Sequence, residues 1–313
     1  MMQKNIIEQA KKLYGVDSDN LELLGGFYDN VFLSRDKNIV IKFFDIVKYR
    51  KENLLKEIQF IKLMTTNGVN TPAPMSSRNG KVIELVMGSK KEFYLIAFPN
   101  VEGTVLLDYE EDNYLIKQWG RTLGEMHEVS KKYASKLDES YLEWNHDIKY
   151  DGFSKGAGQI IRGKWNAYME QLSSIPCNQD VYGVVHHDLH NQNIMISGDE
   201  MYVLDFGDVR KSWYAYDASI PIYHTLEKSR VQNKISRVEF YQRFTKHFLK
   251  GYREKTTLSQ DQYKLIPFFL EYRLLYSFLY FLNSFKYNKM GTDMKNTLSD
   301  MRFRIENDVP FVN

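Results

Sequence analysis

The stretch His186-His187-Asp188-Leu189-His190-Asn191-Gln192-Asn193, with Leu204-Asp205-Phe206-Gly207-Asp208 shortly after it, decides how this sequence is read. Asp188 and Asn193 are five residues apart, and Asp205 comes twelve later. Short β-like runs at 184–185, 194–196 and 202–204 flank the motif and predict a strand–turn–strand that folds Asp205 back beside the first two. A carboxylate, an amide oxygen and a second carboxylate at the mouth of one hairpin suit a hard divalent cation, which takes oxygen ligands, with one base left over. A lone His-x-Asp is ordinarily a turn in which Asp caps its own backbone. The Asn and the second Asp at these spacings argue against that.

Around this motif the second half of the chain reads as helical. Leu115, Ile116, Trp119, Leu123 and Met126 share one face, and Ser236-Arg237-Val238-Glu239 is a capping box. The hairpin is therefore expected on the surface of a helical bundle. Residues 266–285 form the most apolar stretch, but Glu271 and Arg273 stand near its centre and each costs a few kcal/mol in hydrocarbon. A buried helix is the expectation, not a membrane span.

The first hundred residues read mostly as strand. Apolar runs at 21–26, 31–34 and 39–44 are separated by turn residues, a helix is expected over about 48–66, and two more strands over 82–86 and 92–98. Asn67-Gly68 ends the helix, and Thr71-Pro72-Ala73-Pro74 keeps the chain extended. Pro99 to Gly103 reads as a connector. The expected division is 1–98, a hinge at 99–103, and 104–313.

Composition bounds the function. At 313 residues, with 43% hydrophobic and 26% charged residues, this is an ordinary globular chain, and a net charge of +2 gives no push toward nucleic acid or a membrane surface. One cysteine, Cys177, makes no internal disulfide or cysteine metal cluster, so a reducing, cytoplasmic setting is expected. The first fifteen residues lack the apolar core of a signal peptide.

The motif set resembles the aminoglycoside phosphotransferase and choline kinase family of the protein-kinase-like superfamily. The resemblance is carried by His186, Asp188, His190 and Asn193, by Asp205-Phe206-Gly207-Asp208 with Tyr216-Asp217, and by Leu123-Gly124-Glu125-Met126-His127; it spans about residues 21–285. It implies an α+β, bilobal kinase-like fold, with a small N-terminal sheet-plus-helix lobe and a larger, mainly helical C-terminal lobe. It further implies Mg2+-dependent transfer of the γ-phosphoryl group of ATP, or GTP, to a hydroxyl. On that resemblance Asp188 orients the acceptor hydroxyl or takes its proton, while Asn193 and Asp205 hold the metal. Lys42 contacts the α- and β-phosphates, and Glu57, preferred over Glu52, pairs with Lys42. Gly25 and Gly26 occupy the phosphate-covering turn, which reads equally as a plain hairpin turn. Ala97-Phe98-Pro99-Asn100 lies at the hinge, where backbone groups meet the nucleotide base.

Some positions stay open. His187 stands where the family usually has Gly; its ring either changes the backbone beside Asp188 or points to solvent. His186 braces the loop or acts as base, and Asp208 is an outer metal-site residue or a loop cap. Asp217 is expected to hold the loop through its backbone amides. Residues 102–151 carry twelve acids against six Lys or Arg, and 228–255 carry nine Lys or Arg against two Glu. The acidic excess, with Glu271, Tyr272 and Tyr276, suggests a small hydroxylated acceptor bearing an amine. The alternatives are a protein Ser/Thr kinase of the same branch and a non-catalytic scaffold; the acceptor groove, enclosed or open, separates a small molecule from a peptide.

Overall fold

The computed structural model describes residues 4–16, 21–25, 30–89, 91–107, 109, 112–137, 141–146, 148, 152–232, 237–285 and 290–312. Its elements run in the order α1 (Lys4–Tyr14), β1 (Leu21–Gly25), β2 (Val31–Ser34), β3 (Ile39–Asp45), α2 (Lys51–Thr66), β4 (Glu84–Met87), β5 (Glu92–Pro99) and β6 (Thr104–Val105). Then come α3 (Asn113–Lys132), α4 (Ala134–Leu137), α5 (Gln159–Ser174), β7 (Tyr182–Val185), β8 (Ile194–Ser197), β9 (Glu200–Val203) and β10 (Arg210–Trp213). The chain ends with α6 (Tyr214–Gln232), α7 (Arg237–Tyr252), α8 (Gln260–Lys264), α9 (Ile266–Ser284) and α10 (Thr292–Glu306).

The chain falls into two compact units: Met1–Val105 with Ile194–Gly207, and Leu106–Asn193 with Asp208–Asn313. The first is built on an antiparallel five-stranded sheet of order β1-β2-β3-β5-β4. Alternation sorts its side chains. Ile39, Ile41 and Phe43 of β3 and Phe93, Leu95 and Ala97 of β5 pack with Ile6 and Ala10 of α1. Lys42, paired in register with Ile96, therefore lies on the opposite face. Helix α1 is a departure from the expectation, which made nothing of these residues beyond the missing signal peptide.

The hairpin is a second departure. Strand β8 pairs with β6 on one side and β9 on the other, and the hairpin joins the first unit, where Val203 N donates to Asn70 O and Phe206 meets Phe60 edge-on. Its apolar residues need a covered face, and this unit supplies it. Residues 184–185, expected to flank that hairpin, instead lie in β7 and pair antiparallel with β10, Val185 opposite Arg210.

The second unit is helical around its aromatic side chains. Helix α3 opens on Asp112, whose carboxylate accepts from the Tyr114 and Leu115 amides at 2.8 and 3.0 Å. It packs closely on α7 because Gly120 and Gly251 have no side chain there. A Cβ at Gly120 would stand 1.8 Å from Phe248 O, and one at Gly251 1.8 Å from Lys117 O. Helix α9 is apolar on most sides and buries Phe269, Leu270, Tyr272, Leu274, Leu275 and Phe278. No helix among the described residues is long and apolar enough to cross a membrane.

Candidate active site

In the first unit the site residues gather on the sheet face away from α1. Lys42 Nζ donates to Asp205 Oδ1 at 3.0 Å and lies 5.9 Å from the centre of the Phe98 ring. Burial would lower the lysine's pKa, but the charges of Asp205 and Glu57 outweigh it and raise the ammonium above its usual range. Lys42 is therefore a fixed cation. Glu57 is itself buried on α2. Asp205 is held at φ +58°, a left-handed conformation that Asp tolerates better than most residues, with its side chain 55% exposed. A half-exposed carboxylate beside a lysine has the chemistry to meet a cation and phosphate oxygens together.

Gly25 ends β1 at φ +119° with nothing within 4 Å of where a Cβ would be, and the strand register shifts just before it. Its requirement is conformational, as a turn demands. Gly26 lies outside the described residues. Asn100 closes the strand end: its backbone N donates to Asn38 O, and its Nδ2 to Asn38 Oδ1, both at 2.9 Å.

In the second unit the loop between β7 and the short turn Asn191–Asn193 is pinned from within. Asp217, fully buried at the start of α6, accepts from His187 N at 2.7 Å through Oδ1. Its Oδ2 meets His127 Nε2 at 2.9 Å. His127 Nδ1 in turn faces Tyr252 OH at 2.8 Å. Burial holds His127 neutral, its pKa lowered despite Asp217. His187 stands at φ +70°, the conformation a glycine would take without cost, and is buried with its ring 5.0 Å from that of Tyr216. It does not point to solvent.

Asp188 sits at the centre of this loop. Its Oδ1 accepts from an Arg273 Nη at 2.9 Å, and its Oδ2 faces His190 Nε2 at 3.4 Å. Because His190 Nδ1 accepts from Gln192 N at 3.2 Å, the hydrogen-bond pattern assigns the ring proton to Nε2, facing the carboxylate. Burial alone would raise the Asp188 pKa. The His190 hydrogen bond and the Arg273 charge overcome it and hold the group well below the usual carboxylate range. His186 Nδ1 accepts from Asp188 N at 3.3 Å, and Asn193 Nδ2 donates to Asp188 O at 2.9 Å. That contact uses the Asn193 nitrogen, so its amide oxygen is the atom suited to a metal. Asp208 accepts from Arg210 at 3.2 Å on an exposed turn.

Three parts of the acceptor expectation are revised. Glu271 accepts the Phe311 amide at 2.5 Å, within a tether where Arg237 and Arg304 donate to Phe311 O. Tyr272 is core, packed among Trp165, Tyr168 and Tyr216. One acid of the acidic segment is also engaged by the basic one: Glu125 pairs with Lys255, while Lys117 pairs with Glu254 at 2.6 Å. Glu143 takes Lys211 at 2.8 Å. Asp108, Glu110, Glu111, Asp138, Glu139, Asp147 and Asp151 lie outside the described residues. A cavity of about 670 Å³ in this unit is lined by Trp144, Lys155, Arg162, Trp165 and Met169 among others.

Arg273 is the residue that the sequence reading missed, using it only as a charge that argues against a membrane span. Its signal was there: a charge in the middle of an apolar helix must find a partner. Among the described residues, no group of three or more His, Cys, Asp or Glu could hold a metal. Asp205 in the first unit and the amide oxygen of Asn193 in the second are each a hard oxygen donor of the kind an ion such as Mg2+ takes, in small number, from a protein.

Known proteins place this geometry. Residues 20–253 match the model of the phosphotransferase enzyme family. An amicoumacin kinase of Bacillus subtilis (strain 168) is 26% identical over 316 residues, covering 98% of this chain and 93% of that protein. Among solved structures, amicoumacin kinase hAmiN in complex with AMP-PNP, Ca2+ and Ami has a TM-score of 0.87 at 23% identity, covering 99% of this chain and 95% of that one. A microcompartment-associated aminopropanol kinase has a TM-score of 0.76 at 18% identity, covering 97% of each chain. The expected kinase-like fold, a sheet-rich N-terminal lobe and a helical C-terminal lobe, is borne out by these likenesses.

Proposed function

The chain belongs to the phosphotransferase enzyme family and is a small-molecule kinase with an alcohol group as acceptor, and on that premise we propose that it transfers the γ-phosphoryl group of Mg·ATP to the hydroxyl of a small, amine-bearing acceptor. The observation that carries the reading is the Asp188 loop, a carboxylate kept ionised inside a rigid frame.

Phosphoryl transfer asks mainly for positioning and charge neutralisation, because its transition state is loose. Asp188, with a depressed pKa, is a weak base. Its work is to orient the acceptor O–H so that the oxygen lone pair meets the γ-phosphorus, and to take the proton late, as the bond to the leaving oxygen breaks. Lys42 holds the α- and β-phosphates, with Glu57 keeping it charged. Asp205 and the amide oxygen of Asn193 would hold Mg2+, whose charge would offset that of the phosphates during transfer. Asp217 holds the loop by the His187 amide.

The amine on the acceptor is supported by likeness to an aminopropanol kinase. Two acceptor panels test it, each with Mg·ATP and Mg·GTP: aminated sugars with amino alcohols, and Ser/Thr peptides. Phosphate transfer to the first panel is expected. Transfer confined to peptides, or to neutral sugars, rejects it.

A further inference from the structure

Asp188 could present either oxygen to an acceptor, and the surroundings of its carboxylate decide between them. Oδ1 is taken by Arg273 at 2.9 Å; Oδ2 has the longer contact, 3.4 Å, with His190. The guanidinium is itself fixed on three sides. The same Nη that reaches Asp188 lies 3.2 Å from His224 Nε2, and the other Nη donates to Tyr216 OH at 3.3 Å. The Tyr276 ring lies 5.6 Å below the guanidinium. Burial and the neighbouring Arg273 charge keep His224 neutral, so its Nε2 is able to accept.

This arrangement is poor value as a stabilising device. A buried guanidinium is costly, and among the described residues Arg273 Nε is buried without a hydrogen-bond partner. Its geometry instead has a directional use, since a planar fork held at three points fixes the plane of the carboxylate it grips.

We propose that Arg273 is a positioning residue for phosphoryl transfer, holding Asp188 by Oδ1 so that Oδ2 is the oxygen that receives the acceptor hydroxyl, with His190 yielding its long contact when the acceptor arrives. This rests on Asp188 being the acceptor-orienting carboxylate. Arg273 acts through Asp188. Lysine cannot replace it, because a single ammonium cannot hold Asp188, His224 and Tyr216 in one plane.

The test uses water as acceptor and follows hydrolysis of Mg·ATP in single turnovers, so that no acceptor need be known. Arg273→Lys should lower the rate by about 10²-fold, the scale of a misplaced reacting group, with nucleotide affinity unchanged. Adding Arg273→Lys to Asp188→Asn should cost nothing further, since both act through one group. In Arg273→Ala, added guanidine at non-denaturing concentration should restore part of the rate. The folded fraction of each variant is followed by circular dichroism. An Arg273→Lys enzyme at wild-type rate, or one whose loss matches its unfolded fraction, overturns the proposal while leaving Asp188 in place. A full additional loss in the double variant also overturns it. Wild-type hydrolysis by Asp188→Asn alone would instead bring down the reading of Asp188 itself.

Discussion

Two carboxylates, one in each unit, are built in opposite ways. Asp188, in the helical unit, has Arg273 on one oxygen and His190 on the other, His224 within 4.0 Å, and its backbone tied to His186 and Asn193. Asp205, in the sheet unit, is 55% exposed, in a left-handed conformation, with Lys42 on one oxygen. The first is braced before anything binds; the second is presented to the solvent that a metal and phosphates would replace. A group that must aim gains from rigidity, whereas a group that must coordinate gains from access.

The largest effect expected from breaking this contrast is on the braced side. Asp188→Asn should lower kcat about 10²- to 10⁴-fold, roughly 3–5 kcal/mol, with little change in nucleotide affinity; steady-state kinetics and a nucleotide titration measure the two. On the exposed side, Asp205→Ala should weaken Mg·nucleotide binding by about 10²-fold, ~2.8 kcal/mol, in calorimetric titration. If that variant instead spared binding and lost only kcat, the two acids would have the same kind of role and the contrast would fail.

A smaller effect belongs to the frame around Asp188. His127, His187 and His224 all have pKa values lowered by burial. The unfolded chain, with histidine near 6.5, takes up these protons first. The stability they confer is therefore complete above about pH 6.5 and falls with decreasing pH, by at most about 1.4 kcal/mol per pH unit for each ring. Denaturant melts between pH 7 and 5 should show it; a flat profile would mean that these rings titrate in the fold as they do in the unfolded chain. Asp208→Ala is placed last. Its carboxylate meets Arg210 on an exposed turn, so a loss below about 1 kcal/mol in stability or nucleotide binding is expected. A loss equal to that of Asp205→Ala would show the acids ranked wrongly.

What the sequence made legible were the local features. The run from His186 to Asn193, the Asp205 turn and the alternation around Lys42 sit within short windows, where periodicity and spacing carry information. The kinase-like fold followed from them. Pairing across distance did not. Residues 184–185 and 194–196 are equally short and apolar, and no local property tells that one pairs with β10 and the other with β6. The charge segments belong with these: −6 and +7 are counts along the chain, and they do not tell that Glu125 meets Lys255. Helix α1 is legible in the same way, with the buried Ile6 and Ala10 one turn apart. Arg273 lies 85 residues from Asp188, and only its isolation in an apolar helix marked it.

The sheet unit is assembled from two separated pieces of chain, residues 1–105 and 194–207, with 106–193 between them. A ribosome delivers these pieces at different times. When β6 emerges it has no partner, and β8 and β9 follow only after most of the helical unit's first segment has been made. Domains generally fold as units during synthesis, so the nascent sheet unit must wait for the strand that pairs with β6, for the Val203 amide that reaches Asn70 O and for the Phe206 ring that meets Phe60. The last residues to reach it include Asp205 itself. The sheet unit is thus completed late, which makes 194–207 the segment whose delay or truncation leaves the sheet without Asp205.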